Sequence, residues 1–319
     1  MIALEEPTLN LLRIVYRRTL ALAQRSLNAL GLNAMRVADY YSPLPVLGRL
    51  AERRQRWDRP SELPGVRFDR AGMKSLLGAL AADYGEEYRG LVPYEEAKTL
   101  GYGPGFTAVD AMVVYWMLRH LKPRRYVEIG SGLSTYYASL ALAKNSGEGS
   151  PCEMSCIDPY ARAEVRTIPG LEVVAREVQD VGPDSFRRLG PGDVLFIDST
   201  HVVKIDGDVP HLYLEVVPRV AEGVVIHSHD IHFPYNVPHP AEQYLFAQKW
   251  PSYWTEAMLL QAFLAFNPAY EILLSAPLLR HGDEDFLRRT IRGYRPVEAG
   301  DYDTHFGSLW FRRIPVPGS

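Results

Sequence analysis

Two short clusters of aspartate and histidine lie in the second half of the chain. One begins at Asp198 and reads DSTH, and the other ends at Asp230 and reads HSHD. Each follows a run of apolar residues typical of a buried strand. Two carboxylates that approach each other are unfavourable unless a cation lies between them, whereas imidazole can bind metals or transfer protons near neutral pH. The clusters therefore indicate a metal-assisted or acid–base site.

A loop with two glycines lies upstream, within the segment YVEIGSGLST at 126–135. Gly130 and Gly132 can adopt backbone angles that other residues avoid, and without Cβ atoms they let a ligand approach the main chain. A dinucleotide-binding loop would carry a third glycine three residues after Gly132, where this chain has Thr135. Glu128, ahead of the two glycines, instead suits a cofactor with an ammonium group and a ribose.

The elements that position these residues follow from the alternation of strand-like and helix-like runs after Arg125. This alternation predicts a parallel sheet covered by helices. The acidic residues would lie at the carboxyl ends of its strands, where open α/β sheets bind ligands. The predicted strands are 125–129, 154–157, 171–176, 193–197, 223–228, 270–274 and 306–313.

The sequence upstream of the sheet is mainly helical. Residues 8–30 combine apolar and arginine positions with the period of an amphipathic helix. The stretch 40–65 is punctuated by prolines, and we expect it to be an extended connector. Further helices are predicted at 69–90 and 108–120. The chain is thus expected to comprise a helical cap with its connector at 1–100, and a sheet-forming domain at 101–319.

The composition excludes several classes of protein. The chain has 319 residues, a formal net charge of −3 and a pI near 6.3, and it lacks the basic stripe of a nucleic-acid-binding surface. Its two cysteines are too few for a disulfide framework and lack zinc-ribbon spacing. No apolar run reaches the roughly 18 residues of a membrane span. Because Glu5 and Glu6 lie where a signal peptide would be basic, we expect a cytoplasmic protein.

The glycine loop at 126–135 resembles motif I of the class I S-adenosylmethionine-dependent methyltransferases, and the seven predicted strands match the topology of that family. The resemblance implies an α/β fold with a Rossmann-like seven-stranded sheet, and S-adenosyl-L-methionine as the cofactor. It places Asp158 at the ribose hydroxyls and Gln179 or Asp180 at the adenine edge. The cofactor-binding residues that it implies are Glu128, Gly130, Ser131, Gly132, Ser134, Asp158, Gln179 and Asp180.

The aspartate–histidine clusters also resemble sites in this family. In its strand order the fourth and fifth strands are neighbours, which would bring Asp198 and Asp230 together beside the methyl group of the cofactor. The spacing of Asp198 and His201 is similar to the Asp-x-x-His of macrolide-sugar O-methyltransferases, whose histidine is the base. Catechol-type O-methyltransferases carry a metal-binding aspartate at the same strand end. The resemblance implies a divalent metal at Asp198, His229 and Asp230, with His201 as general base.

One position departs from that pattern. His229 stands where the sugar enzymes carry an acid, so it could bind the metal or act as a second base. Imidazole favours zinc, iron, manganese or nickel over magnesium.

The whole chain is similar to a bacterial family of uncharacterised methyltransferase-24-like proteins, through segments such as FIDSTHVVK and HSHDIHFPY. We expect metal-assisted O-methylation of a small hydroxylated molecule, such as a sugar or a natural-product intermediate. Methyl transfer to nitrogen or carbon is one alternative, and a non-catalytic cofactor-binding scaffold is another. The missing third glycine disfavours an NAD-dependent oxidoreductase. The basic helix at 8–30 is expected to pack on its own protein or on a sister subunit rather than on an anionic membrane.

Overall fold

The computed structural model of the protein describes residues 6–32, 40–298 and 301–316. Its α-helices are α1 (Glu6–Ala29), α2 (Leu47–Glu52), α3 (Arg54–Trp57), α4 (Arg70–Arg89), α5 (Tyr94–Ala97), α6 (Ala108–Leu121), α7 (Leu133–Gly147), α8 (Asp208–His211), α9 (Glu256–Leu264) and α10 (Ala276–Thr290). Its strands are β1 (Arg125–Ile129), β2 (Glu153–Ile157), β3 (Leu171–Val174), β4 (Val194–Ile197), β5 (Val225–Ser228), β6 (Tyr270–Ser275) and β7 (Leu309–Arg313).

The strands form one seven-stranded sheet in the order β3-β2-β1-β4-β5-β7-β6. Strands β1 to β5 run parallel, whereas β7 is antiparallel to both β5 and β6. The parallel strands β4 and β5 are buried throughout, as expected of strands covered by helices on both faces. The predicted α/β fold with a Rossmann-like seven-stranded sheet is therefore confirmed.

All seven predicted strands are present, but some of their ends differ. The strand predicted at 306–313 begins only at Leu309. Just before it, the backbone N–H of Gly307 and the hydroxyl of Ser308 donate to Asp110 of α6, while the Gly307 carbonyl accepts the N–H of Ile231. The N–H of Gly307 thus goes to a side chain outside the sheet, and the strand begins two residues later.

The chain divides into two compact units, Met1–Arg54 and Gln55–Ser319. In the first unit, α1 confirms the helix predicted at 8–30. The prediction of an extended connector at 40–65 was wrong in part, because α2 and α3 occupy its middle. Its prolines cluster towards the two ends of the stretch and leave 46–59 free to form helical turns.

The predicted domain boundary after residue 100 stays a prediction. Within the second unit, α4 already packs on α6 and β6. Residues 1–5, including Glu5, lie outside the described residues. None of the helices that the structure describes is long and apolar enough to cross a membrane.

Helix α6 is buried along nearly its whole length between α4 and α7. Its sequence, AVDAMVVYWMLRHL, is apolar on all sides, which is typical of a helix inside a core. Asp110 and Arg119 are nevertheless among its buried residues. Both therefore need partners within the fold.

Arg119 joins three helices, so its loss should destabilise the domain. Its Nε donates to Glu87 of α4 at 2.6 Å, and its Nη2 donates to Glu148, just after α7, at 2.6 Å. We expect Arg119→Ala to lower the free energy of unfolding by about 2 kcal/mol, because both charge-assisted hydrogen bonds are lost. Urea denaturation measures the change. Arg89→Ala, which removes an exposed arginine of α4, should change stability by less than about 0.5 kcal/mol.

Candidate active site and metal centre

The two aspartate–histidine clusters meet at the carboxyl ends of β4 and β5. These strands are hydrogen-bonded neighbours, with Ile197 opposite Ser228. Asp198 directly follows β4, and His229 directly follows β5. Parallel neighbours end at the same edge of the sheet, so the residues after them converge.

Two imidazoles face the same two carboxylates. His201 Nε2 lies 3.4 Å from Asp198 Oδ1 and 3.4 Å from Asp230 Oδ2. His229 Nδ1 lies 3.4 Å from Asp198 Oδ1 and 3.6 Å from Asp230 Oδ2. We call these four side chains the aspartate–histidine centre.

The backbone at this centre is constrained. His201 and Asp230 both adopt positive φ angles, 60° and 55°, in a region that residues other than glycine rarely occupy. The carbonyl of His201 accepts hydrogen bonds from the backbone N–H groups of Thr255 and Glu256. The start of α9 therefore holds His201 in place.

The other ring nitrogen of each imidazole contacts a buried carboxylate outside the centre. His201 Nδ1 lies 2.8 Å from Glu256 Oε2, and His229 Nε2 lies 3.2 Å from Asp110 Oδ2. These contacts leave His201 Nε2 and His229 Nδ1 directed at the two aspartates. Histidines that bind metals commonly have a carboxylate on the far nitrogen, which sets the tautomer and the ring orientation.

These two carboxylates, Glu256 and Asp110, are called the backing carboxylates, and each accepts hydrogen bonds from hydroxyl groups. The Tyr213 hydroxyl donates to Glu256 Oε1 at 2.6 Å. The Ser308 hydroxyl donates to Asp110 Oδ1 at 2.6 Å, and the Thr107 hydroxyl donates to its Oδ2 at 2.8 Å. Thr107 also caps α6, because its Oγ1 accepts the backbone N–H of Asp110.

The side chains of the centre fit a divalent cation. Three of them, Asp198, His201 and Asp230, each offer one ligand atom, and these three atoms lie within 4.8 Å of one another. Within the described part of the chain, the buried atoms His229 Nδ1 and Asp230 Oδ1 have no hydrogen-bond partner. Buried polar atoms without partners are costly, and coordination of a cation between the aspartates would satisfy His229 Nδ1, which faces both of them.

The pKa shifts in the centre show that its carboxylates and imidazoles strongly affect one another. Burial alone would lower the pKa of His201, but the hydrogen-bonded Asp198 and Glu256 outweigh burial and raise it to about 10. For Asp230, burial raises the pKa to about 6, although the histidines oppose this shift. Burial would also raise the pKa of Asp198, yet the cationic His229 and His201 hold it below its usual range. The charged forms of Asp198 and Asp230 are therefore stable only with a positive charge close to them.

A cavity of about 340 Å³ adjoins the centre at the carboxyl ends of β1, β2 and β4. Gly130, Asp158, Gln179 and Asp198 all line it. Gly130 has a φ of +90°, and a Cβ atom there would lie 2.3 Å from the carbonyl oxygen of Asp198. The loop after β1 can therefore pack against the loop after β4 only with glycine at this position.

Part of the chain matches a known protein family. Residues 127–231, about one third of the chain, match a family model described as a methyltransferase domain. The region spans β1 to β5 and includes the glycine loop and the aspartate–histidine centre. We call this region the methyltransferase domain after that match. No curated protein is a significant match.

Several solved structures resemble the chain at low similarity. The O-methyltransferase TomG from Streptomyces achromogenes, in complex with SAM, is 15% identical, with 78% of this chain and 91% of that chain covered and a TM-score of 0.40. An O-methyltransferase from Bacillus cereus, in complex with SAH, is 12% identical, with coverages of 76% and 91% and a TM-score of 0.40. The Podospora anserina methyltransferase PaMTH1 is 14% identical, with coverages of 74% and 88% and a TM-score of 0.38. These values support no conclusion about substrate or ligands.

The structure places the predicted cofactor residues of the methyltransferase domain in two layers. Gly130, Asp158 and Gln179 line the cavity, and the Ser131 hydroxyl donates to Asp158. Gly132 caps the start of α7. The residues outside the lining of the cavity are Glu128, Ser131, Gly132, Ser134 and Asp180. Their direct contact with a cofactor stays a prediction.

Glu128 lies behind the glycine loop rather than in the cavity. It is fully buried, and its oxygens accept hydrogen bonds from the hydroxyls of Tyr126 and Ser134. Burial raises its pKa to about 8, although both hydroxyls oppose the shift. In this geometry Glu128 anchors the first turn of α7 to β1.

Sequence reasoning missed Asp110 and Glu256. Neither follows a strand, and they come from α6 and α9. Each is an acidic residue in a strongly apolar helix, AVDAMVVYWMLRHL and EAMLLQAFL. This pattern was a usable signal, because an acid in a core helix needs a buried partner.

Replacing Glu128 should remove a pH-dependent loss of stability in the methyltransferase domain. Its folded pKa of about 8 exceeds its ordinary value of 4.5, so the folded state retains a proton that the unfolded chain releases. Wild-type stability should therefore fall as pH rises from about 4.5 to 8. Glu128→Gln keeps the shape without the charge and should flatten this decline, as measured by urea denaturation across the range.

Glu172→Gln, at an exposed position of β3, is the matched control and should retain the wild-type pH profile. An unchanged slope in Glu128→Gln would contradict the raised pKa.

Proposed function

We propose that the protein transfers a methyl group from S-adenosyl-L-methionine to a hydroxyl group of a small molecule, such as a sugar or a natural-product intermediate. Asp198, His229 and Asp230 would hold a divalent metal, and His201 would be the general base. The observation that carries this proposal is the aspartate–histidine centre beside the cavity that Asp198 also lines.

The charges of the centre support a divalent ion. Two imidazoles are surrounded by the carboxylates of four residues. If every group were charged, the cluster would still carry an excess of two negative charges, which a buried site does not tolerate without a cation. The carboxylates involved are Asp110, Asp198, Asp230 and Glu256. Imidazole donors favour zinc, iron or manganese over magnesium.

The cofactor would occupy the cavity at the ends of β1, β2 and β4. Asp158 and Gln179 line this cavity; Asp158 would accept hydrogen bonds from the ribose hydroxyls, and Gln179 would face the adenine edge. A volume of about 340 Å³ is within the usual range for small-molecule sites. A cofactor in this cavity would lie beside Asp198, which lines the cavity and belongs to the aspartate–histidine centre.

The residues of the centre would divide the chemistry between them. A bound metal ion supplies a lower pKa and a fixed position for the acceptor hydroxyl. In the metal-free centre His201 has a pKa of about 10 and is protonated at both nitrogens near neutral pH. Beside a bound cation it would release the Nε2 proton, and Glu256 would keep the other proton on Nδ1, so that Nε2 could take the hydroxyl proton. Phe106, whose ring lies 4.7 Å from that of His229, would help to exclude water.

The first test is calorimetric titration of S-adenosyl-L-methionine into chelator-treated protein, alone and with magnesium, manganese, iron or zinc. We expect the cofactor to bind, and elemental analysis of untreated protein to find a metal ion. Failure to bind the cofactor under all conditions would contradict the proposal and favour a non-catalytic scaffold. Analysis of the methylated product would distinguish transfer to oxygen from transfer to nitrogen or carbon.

Replacing His201 tests the proposed base. His201→Ala should bind S-adenosyl-L-methionine and the metal as the wild type does, but turn over about 10²- to 10⁴-fold more slowly, because general-base catalysis is lost. Single-turnover kinetics and metal analysis measure the two effects. His120→Ala, at an exposed position of α6, should behave as the wild type. Loss of the metal from His201→Ala would instead identify His201 as a ligand, in keeping with its distance to both aspartates.

Replacing the two backing carboxylates should distinguish the role of His229 from that of His201. Asp110→Asn should weaken metal affinity about 10- to 100-fold, because His229 loses the acceptor that orients it. Glu256→Gln should slow turnover with little effect on cofactor affinity, because an amide no longer holds His201 in the required tautomer. Metal titration and pH–rate profiles measure these effects. Asp285→Asn, at an exposed position of α10, is the control.

A further inference from the structure

A second cavity, of about 250 Å³, lies between the loop after β5 and helix α10. It is separate from the cavity that Gly130 lines. The polar side chains in its lining are His232, Tyr235, His239, Arg280, His281 and Glu284. None of these residues has a role in the proposed transfer chemistry.

Arg280 is the notable residue of this cavity, because it forms no ion pair within the described part of the chain. Its Nη1 donates to the carbonyl oxygen of Thr304 at 3.0 Å, and its Nη2 donates to that of Phe306 at 3.2 Å. The guanidinium carbon lies 3.6 Å from the centroid of the Phe306 ring. These contacts fix the plane of the guanidinium, yet they use only two of its five N–H donors.

The lining contains one carboxylate, Glu284, whose charge acts on Arg280 without forming an ion pair with it. Glu284 accepts a hydrogen bond from the Tyr294 hydroxyl at 2.9 Å and lies 3.5 Å from Arg288. Burial lowers the pKa of His239 to about 4, although Asp58 opposes the shift. The cavity therefore contains a fixed cation, Arg280, and its one lining carboxylate is already bound by other groups.

Such a cation is typical of an anion-binding site. Burial lowers the pKa of Arg280, so its positive charge is held at a cost. An anion in the cavity would reduce that cost. The planar fork of a guanidinium matches the geometry of carboxylate and phosphate, and bidentate pairs of this kind are among the stronger hydrogen bonds.

Two chain segments connect the lining of this cavity with the aspartate–histidine centre. His232 follows Asp230 by only two residues in the loop after β5. Phe306, under Arg280, directly precedes Gly307, whose N–H donates to Asp110. A Cβ atom at Gly307 would lie 2.8 Å from the Cα of Asp230, so this segment packs directly against the centre.

We infer that the methyl acceptor carries a carboxylate or phosphate group, which Arg280 binds while the acceptor hydroxyl reaches the aspartate–histidine centre. The role as part of the acceptor site rests on the proposed function. The binding of an anion at Arg280 does not, and it can be measured without cofactor or turnover.

The first experiment titrates inorganic phosphate and acetate, separately, into the full-length protein. Wild type should bind at least one of them, and the tighter probe identifies the acidic group. Arg280→Gln should weaken that binding about 10- to 100-fold, because a charge-assisted pair is lost. Arg289→Gln, an exposed arginine on the same helix, should bind as the wild type does.

A second variant covers the case in which Arg280→Gln does not fold. His281 is exposed and lines the cavity, so His281→Glu should fold and should repel the same anion. Wild-type protein that binds neither probe would overturn the inference. Binding that neither Arg280→Gln nor His281→Glu weakens would overturn it as well.

The acceptor role is tested with matched pairs of hydroxylated compounds, with and without a phosphate or carboxylate. Only the anionic members should be methylated, and Arg280→Gln should raise the KM for them while binding S-adenosyl-L-methionine as the wild type does. Equal methylation of neutral and anionic members would contradict this role. Failure of the wild type to bind S-adenosyl-L-methionine would refute the proposed function and leave the result of the anion titration standing.

Discussion

The approach of two carboxylates, the buried Asp230 and the half-buried Asp198, is the interaction on which the rest of the site depends. Like charges repel strongly in a medium of low dielectric constant, so this pair requires positive charge close by. His201 and His229 lie between the two carboxylates and a second pair of acids. The result is a network in which each imidazole contacts a buried acid with one nitrogen and faces the two aspartates with the other. A network of this kind is stable only if every buried group finds a partner.

Several features of the fold serve this network. The pairing of β4 with β5 brings the two aspartates together. The antiparallel insertion of β7 places Gly307 and Ser308 beside Asp110, which supplies donors to a buried acid. Helix α9 contributes Glu256 and also binds the backbone of His201. The metal-site proposal thus draws on two helices as well as on two strand ends.

The strands were predictable because their signal is local. Buried parallel strands are short apolar runs that alternate with helical segments, and a chain that reads this way has few foldable topologies. The convergence of Asp198 and Asp230 followed from the same logic, since both residues end a strand. The prediction of an extended connector at 40–65 was wrong in part because it considered only the number of prolines. Helix formation depends instead on the proline-free residues between them.

The sequence by itself determined the sheet, the glycine loop and the aspartate–histidine pairs at two strand ends, because each depends on residues that are close along the chain. The tertiary structure decided which residues complete the site. Glu256 lies 55 residues from His201, and Asp110 lies 119 residues from His229. The environment of Arg280 likewise depends on carbonyl groups 24 and 26 residues away. No local pattern encodes such pairs, because packing of separate elements brings them together only once the chain has folded.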